Sequence, residues 1–65
     1  MIKVNGNAVT WRDGMTVADA LAAMNYDFGH ITVTVDGRHV PQDDFDTTPV
    51  PDGADMKAIH LHHGG

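Results

Sequence analysis

Residues 16–37 read TVADALAAMNYDFGHITVTVDG, and within them the apolar spacing changes from helical to alternating. Val17, Ala20, Leu21 and Met24 recur at the period of one helix face, which predicts a helix over Val17–Met24. Thr16 stands directly before it and Asp19 follows three residues later. The pair reads as a capping box in which an aspartate replaces the usual Glu or Gln, satisfying N–H groups that the first turn leaves open. Asn25 to Gly29 carries several turn formers. Ile31-Thr32-Val33-Thr34-Val35 then alternates β-branched apolar residues with threonine, the clearest strand in the chain, and Asp36-Gly37 ends it.

Upstream, Ile2 and Val4 alternate with Lys3, Asn5-Gly6-Asn7 supplies residues that tolerate positive φ, and Ala8-Val9-Thr10-Trp11 resumes an extended pattern, predicting a β-hairpin. Downstream, Arg38-His39-Val40 predicts a short strand that Pro41 stops, since proline lacks an N–H for the ladder. A single helical turn is expected from Gln42 to Phe45. Thr48-Pro49-Val50-Pro51 is too rich in proline for regular structure, and Pro51-Asp52-Gly53 turns the chain back. Met56, Ala58, Ile59 and Leu61 suggest a last strand over Asp55–Leu61, with a side-chain phase too mixed to assign a face.

A helix on one face of a small mixed sheet would bury Ile2, Val4, Leu21, Met24, Val33, Val35 and Phe45 together. If the first and last strands pair at the centre of the sheet, they must run parallel, because everything between them forms the crossover. The expectation is an α+β roll of the β-grasp (ubiquitin-like) kind. The domain would span residues 1–61, followed by a flexible tail, residues 62–65.

With 65 residues, the chain has room for one core, since a domain this small buries only about 60% of its unfolded surface. Apolar residues at 42% against 20% charged place it among globular domains rather than disordered chains. The absence of cysteine excludes disulfides, thiolate metal sites, a cysteine nucleophile and a persulfide carried on the protein itself. A net charge of −5 repels phosphate backbones and argues against nucleic acid as a partner. The same charge suits a basic surface on a partner protein, and equally suits simple solubility. The opening residues reach a turn too early for a signal peptide, so a cytoplasmic location is expected. No membrane helix of roughly 20 apolar residues is present, and a monomer is expected when the chain is free.

The titratable residues offer little chemistry of their own. His60 and His62 would share one side of a strand and His63 the other, giving two imidazoles where a tetrahedral metal site needs four ligands. Solvation or partner contact is the simpler reading, and no metal is expected. No serine exists, and Thr10, Thr16, Thr32, Thr34, Thr47 and Thr48 are accounted for by strands, a cap and a loop, which leaves no activated nucleophile. Asp43, Asp44 and Asp46 read as a solvated surface rather than an acid–base pair. Asn5-Gly6-Asn7 and the terminal glycines lack the spacing of a phosphate loop. No catalytic residue is expected, and the chain does not read as an enzyme.

The C-terminus is different. After the last strand the chain continues through His62-His63-Gly64-Gly65, presenting a carboxylate on a stalk without Cβ atoms at its end. Such a stalk can enter a narrow channel and take whatever φ an active site demands. Activation of the carboxylate by ATP would give an acyl adenylate, and attack by a sulfur donor a thiocarboxylate, which stores nucleophilic sulfur without any cysteine. A frayed end explains the dipeptide alone equally well.

Several stretches together resemble the ThiS/MoaD-type sulfur carriers, and the ThiS branch most closely. They are the short strand before Val4-Asn5-Gly6, Asp13-Gly14-Met15-Thr16-Val17 leading to Leu21, Val35-Asp36-Gly37 with Val40-Pro41, Pro51-Asp52-Gly53-Ala54-Asp55, and the terminal Gly64-Gly65. The resemblance runs end to end and implies a β-grasp fold. It also implies that Gly65 is adenylated by a ThiF-like, E1-type enzyme that uses ATP, with no cofactor bound by the carrier. The resulting thiocarboxylate would supply thiazole synthase in thiamine synthesis. Gly64 follows as the flexible neighbour, and His62 and His63 as part of the tail that partners grip. That tail departs from the family, where the segment is usually more apolar. A sulfur pathway toward molybdopterin, cysteine, methionine or a specialised metabolite is therefore a rival. A β-grasp binding module that works through its sheet is a second rival.

Overall fold

The computed structural model describes residues 1–60. The predicted site residues Gly65, Gly64, His63 and His62, and the predicted strand end at Leu61, lie outside the described residues. In chain order the elements are β1 (Ile2–Val4), β2 (Asn7–Val9), helix α1 (Val17–Ala23), β3 (Ile31–Val35), β4 (Arg38–Val40), a single 3-10 turn (Gln42–Asp44) and β5 (Asp55–His60).

Both hairpins turn through an Asx-Gly pair in the left-handed region. Asn5 (φ 52°) and Gly6 (φ 81°) join β1 to β2, and Asp36 (φ 50°) and Gly37 (φ 83°) join β3 to β4. Two successive residues at positive φ make the turn whose twist matches that of the flanking strands, which is why Asn-Gly and Asp-Gly are favoured there. The capping box forms as predicted: the Asp19 N–H donates to Thr16 Oγ1 (3.3 Å), and the Thr16 N–H donates to Asp19 Oδ2 (3.0 Å).

The sheet order is β2-β1-β5-β3-β4. β1 and β5 lie side by side and parallel, while every other neighbouring pair is antiparallel. The chain is thus a β-grasp, with the last strand at the centre. β5 has few backbone partners on β1, whose ladder covers only Lys3–Asp55 and Val4–Met56. It has a long antiparallel ladder on β3, from Ile31–His60 to Val35–Met56.

Helix α1 covers one face of the sheet, and the core lies between them. Ile2, Val4, Val17, Leu21, Val33, Val50 and Met56 are its largest fully buried side chains. Two expectations are corrected. Met24 caps the helix C-terminus and is only partly buried, packed against the core rather than within it. The second strand closes at Val9 and not at Trp11, because the chain leaves the sheet there. The Trp11 Nε1–H donates instead to the Val50 carbonyl at 2.6 Å. Val50 itself sits in the proline-rich stretch and is 2% exposed. Its N–H donates to the Met15 carbonyl (2.9 Å), so irregular backbone supplies one wall of the core. The mixed phase of the last strand also resolves. Met56 and Ala58 face the core, whereas Ile59 faces outward and is 59% exposed.

Candidate functional site

The sequence directs attention to the chain beyond β5, and the structure shows how β5 delivers it. β5 is fastened at its start and near its end by the two turn residues Asp36 and Asn5. At its start, the Asp55 N–H donates to Asp36 Oδ1 and the Asp36 N–H donates to the Asp55 carbonyl, both at 2.9 Å. Near its end, the Ala58 N–H donates to Asn5 Oδ1 and Asn5 Nδ2 donates to the Ala58 carbonyl, both at 2.8 Å. The backbone of β1 has turned away by this point, so the Asn5 amide stands where the next peptide of β1 would have been. A primary amide carries an acceptor and donors in the geometry of a peptide group and can extend the ladder by one step.

Tyr26 reaches the same place from the far end of the helix. Asn25 takes a left-handed conformation (φ 57°) and its N–H donates to the Ala22 carbonyl, while the Tyr26 N–H donates to the Leu21 carbonyl. This is the Schellman arrangement, which satisfies the last helical carbonyls and reverses the chain. It aims Tyr26 across to β5. There the phenol oxygen accepts from Asn5 Nδ2 (3.3 Å), and the ring meets that of His60 edge to face, with centroids 5.2 Å apart at 87°. Asn5, Tyr26 and His60 thus meet at the C-terminal end of β5, ahead of residues 61–65 in the chain.

The sheet face opposite the helix is open. Strand alternation and register set Lys3 beside Asp55, Lys57 beside Thr34, and Ile59 beside Thr32 on that face. Two of the chain's four basic residues therefore stand on it, together with the exposed Ile59.

The remaining candidates do not assemble. Among the described residues no group of three or more His, Cys, Asp or Glu side chains is placed to hold a metal ion. Asp43, Asp44 and Asp46 are exposed, as a solvated surface would be. Among the described residues no polar or charged residue is buried, and no buried side-chain polar atom lacks a partner. The Asp19 carboxyl is held below the usual aspartate range by the Thr16 N–H and hydroxyl, with Arg12 contributing less. That shift belongs to helix capping. No described helix is long and apolar enough to cross a membrane.

Sequence reasoning treats Asn5 and Tyr26 only as turn residues. The Asn-Gly pair identifies the turn, but nothing in it shows that the side chain reaches a strand more than fifty positions away.

The sequence matches the ThiS family over residues 2–65. The fold is similar to that of a thiamine biosynthesis protein (ThiS) from Geobacter metallireducens in its crystal structure. The TM-score is 0.73 at 29% identity, with 98% of this chain and 97% of that one covered. A solution structure of a thiamine biosynthesis protein from the same organism gives a TM-score of 0.75 at 27% identity, covering 98% of this chain and 86% of that one. No curated protein matches the sequence.

Proposed function

The chain belongs to the ThiS family, and on that membership we propose that it is a sulfur carrier of thiamine biosynthesis whose cargo is borne on the Gly65 carboxylate. The observation that carries this reading is a family match that extends over residues 2–65 in a chain without cysteine. With no thiol available, the terminal carboxylate is the group through which this chain can hold sulfur covalently.

The chemistry runs in two transfers. A Gly65 carboxylate oxygen attacks the α-phosphorus of ATP on a ThiF-like, E1-type enzyme; pyrophosphate leaves and an acyl adenylate remains. A sulfide-equivalent donor then attacks the carbonyl carbon, the carbon–oxygen bond to AMP breaks, and the thiocarboxylate is left. Its sulfur is nucleophilic and passes to thiazole synthase. The carrier is a co-substrate in both steps and supplies no acid, base or nucleophile of its own. Its part is to present the carboxylate. Gly64 contributes freedom of φ inside the enzyme channel. His62 and His63 are the side chains that partners meet first along the tail. The open sheet face, with Lys3, Lys57 and Ile59, gives the globular part a surface on which an enzyme can rest while the tail is processed.

The test is direct. The intact chain, incubated with its adenylating enzyme, ATP and a sulfur source, gains the mass of one oxygen-to-sulfur exchange, localised by fragmentation to Gly65. Deletion of Gly65 abolishes the gain. Persistent absence of the product with the authentic enzyme, or full support of thiamine synthesis by the truncated chain, refutes the carrier reading. Thiazole synthase from the same source should consume the thiocarboxylate; consumption only by a different sulfur-accepting enzyme moves the chain to another pathway.

A further inference from the structure

A carrier whose working group lies at the end of a tail must control where that tail begins. At the root of this tail, hydrogen bonds and ring packing join three segments far apart in the chain: the β1–β2 turn, the loop after α1, and β5. The Asn5 amide makes both bonds to Ala58 at 2.8 Å, and Tyr26 joins that amide to His60. The orientation of the Asn5 amide is fixed by its partners, since the Ala58 N–H can be met only by the oxygen and the Ala58 carbonyl only by the nitrogen.

Other side chains would serve the turn equally well. Glycine or aspartate also tolerates the positive φ of position 5, so the turn alone does not require an amide. The donor and acceptor are needed only if Ala58 must be held. Tyr26 is likewise not required by the Schellman turn, which uses its backbone alone. The two side chains act together on the last residues of β5 before the tail, past the point where β1 can hold it.

We propose that Asn5 and Tyr26 are positioning residues for the carrier tail: they clamp β5 at Ala58 and His60 and thereby set the place and heading with which the strand ends at His60, ahead of residues 61–65. This rests on the carrier reading for its consequence, though not for the clamp itself. An enzyme that grips the globular part and receives the tail in a channel sees a carboxylate whose arrival depends on that heading. Loosening the clamp leaves Lys57 and Ile59 of the docking face paired with β3 and lowers the fraction of docked complexes with the carboxylate in reach, so it acts on kcat more than on KM.

The experiment has two arms on the full chain. In the first, amide exchange of 15N-labelled protein is followed without any partner. Asn5→Gly keeps the turn and removes both side-chain bonds, and it should speed exchange of the Ala58 amide by about tenfold or more relative to the Val50 amide, which reports on the core. Asn5→Asp keeps only the acceptor for the Ala58 N–H and should fall between. In the second arm, pyrophosphate release by the adenylating enzyme is measured against carrier concentration. Asn5→Gly and Tyr26→Ala should lower kcat by about tenfold with KM within about twofold, while Tyr26→Phe, which keeps the ring against His60, should retain most of the rate. Unchanged relative protection of Ala58 in Asn5→Gly overturns the clamp. Faster Ala58 exchange with unchanged kcat overturns its role in positioning. A wild-type chain that is never adenylated refutes the carrier reading instead, and the exchange arm then still decides whether the clamp exists.

Discussion

Replacing Val50 by alanine separates a packed proline-rich segment from a decorative one. The side chain is 2% exposed, so the substitution removes two buried carbons, worth about 0.8 kcal/mol each. A residual cavity of about 40 Å³ at roughly 24 cal/mol per Å³ adds about 1 kcal/mol. Both hydrogen bonds at this position use the Val50 backbone and survive the change. The expected loss is therefore about 2.5 kcal/mol. At about 0.05–0.15 kcal/mol per residue, a domain of this size has a total stability of roughly 3–10 kcal/mol. The melting temperature should fall by about 10–20 °C, given about 4–8 °C per kcal/mol in a domain this small. Ile59→Ala is the control: it removes a larger side chain that is 59% exposed, and it should change stability by no more than about 0.5 kcal/mol. Urea unfolding followed by circular dichroism reads both. A Val50→Ala cost below about 0.5 kcal/mol, or equal costs for the two variants, would show that the segment from Thr48 to Pro51 does not wall the core.

Asp19 makes stability depend on pH through the helix cap. Its folded pKa is lowered from the ordinary 3.8. Its contribution is therefore complete above that unfolded value and is lost as pH falls through the lower folded one. The stability difference between the wild type and Asp19→Asn, measured by urea unfolding, should be constant from about pH 7 to about pH 5 and shrink toward about pH 2; a difference that does not change over that range refutes the charge-assisted cap. Zinc titration should show equally weak binding by the wild type and by a His60/His62/His63 triple alanine variant. Stoichiometric binding abolished in the variant would establish a metal site in the tail.

The parts of this fold that were legible in the sequence are those written in local code. The helix is announced by apolar spacing together with Thr16 and Asp19, and both hairpin turns by an Asx-Gly pair. β3 shows in its alternation. The proposal for Gly65 rests on a different kind of reading: the chain has no cysteine and ends in a glycine pair, and the stretches it shares with the ThiS family run to that end. β5 was harder, because Met56, Ala58, Ile59 and Leu61 do not share a phase. Its face was decided by pairing with β3, which opposes Ala58 to the buried Val33 and Ile59 to Thr32.

By itself, the sequence determined where the helix, the strands and the turns lie and which functional groups the chain lacks. Those properties depend on residues within a few positions of one another or on the inventory of functional groups. Only the tertiary structure decided that Val50 enters the core, that Ile59 faces outward, and that Asn5 and Tyr26 meet at the root of the tail. The contacts concerned join residues 39 apart at Trp11–Val50, 21 apart at Asn5–Tyr26 and 53 apart at Asn5–Ala58. Contacts at those separations exist only once the first and last strands lie parallel at the centre of the sheet. No local pattern encodes that arrangement, which arises when the core closes over all the elements at once.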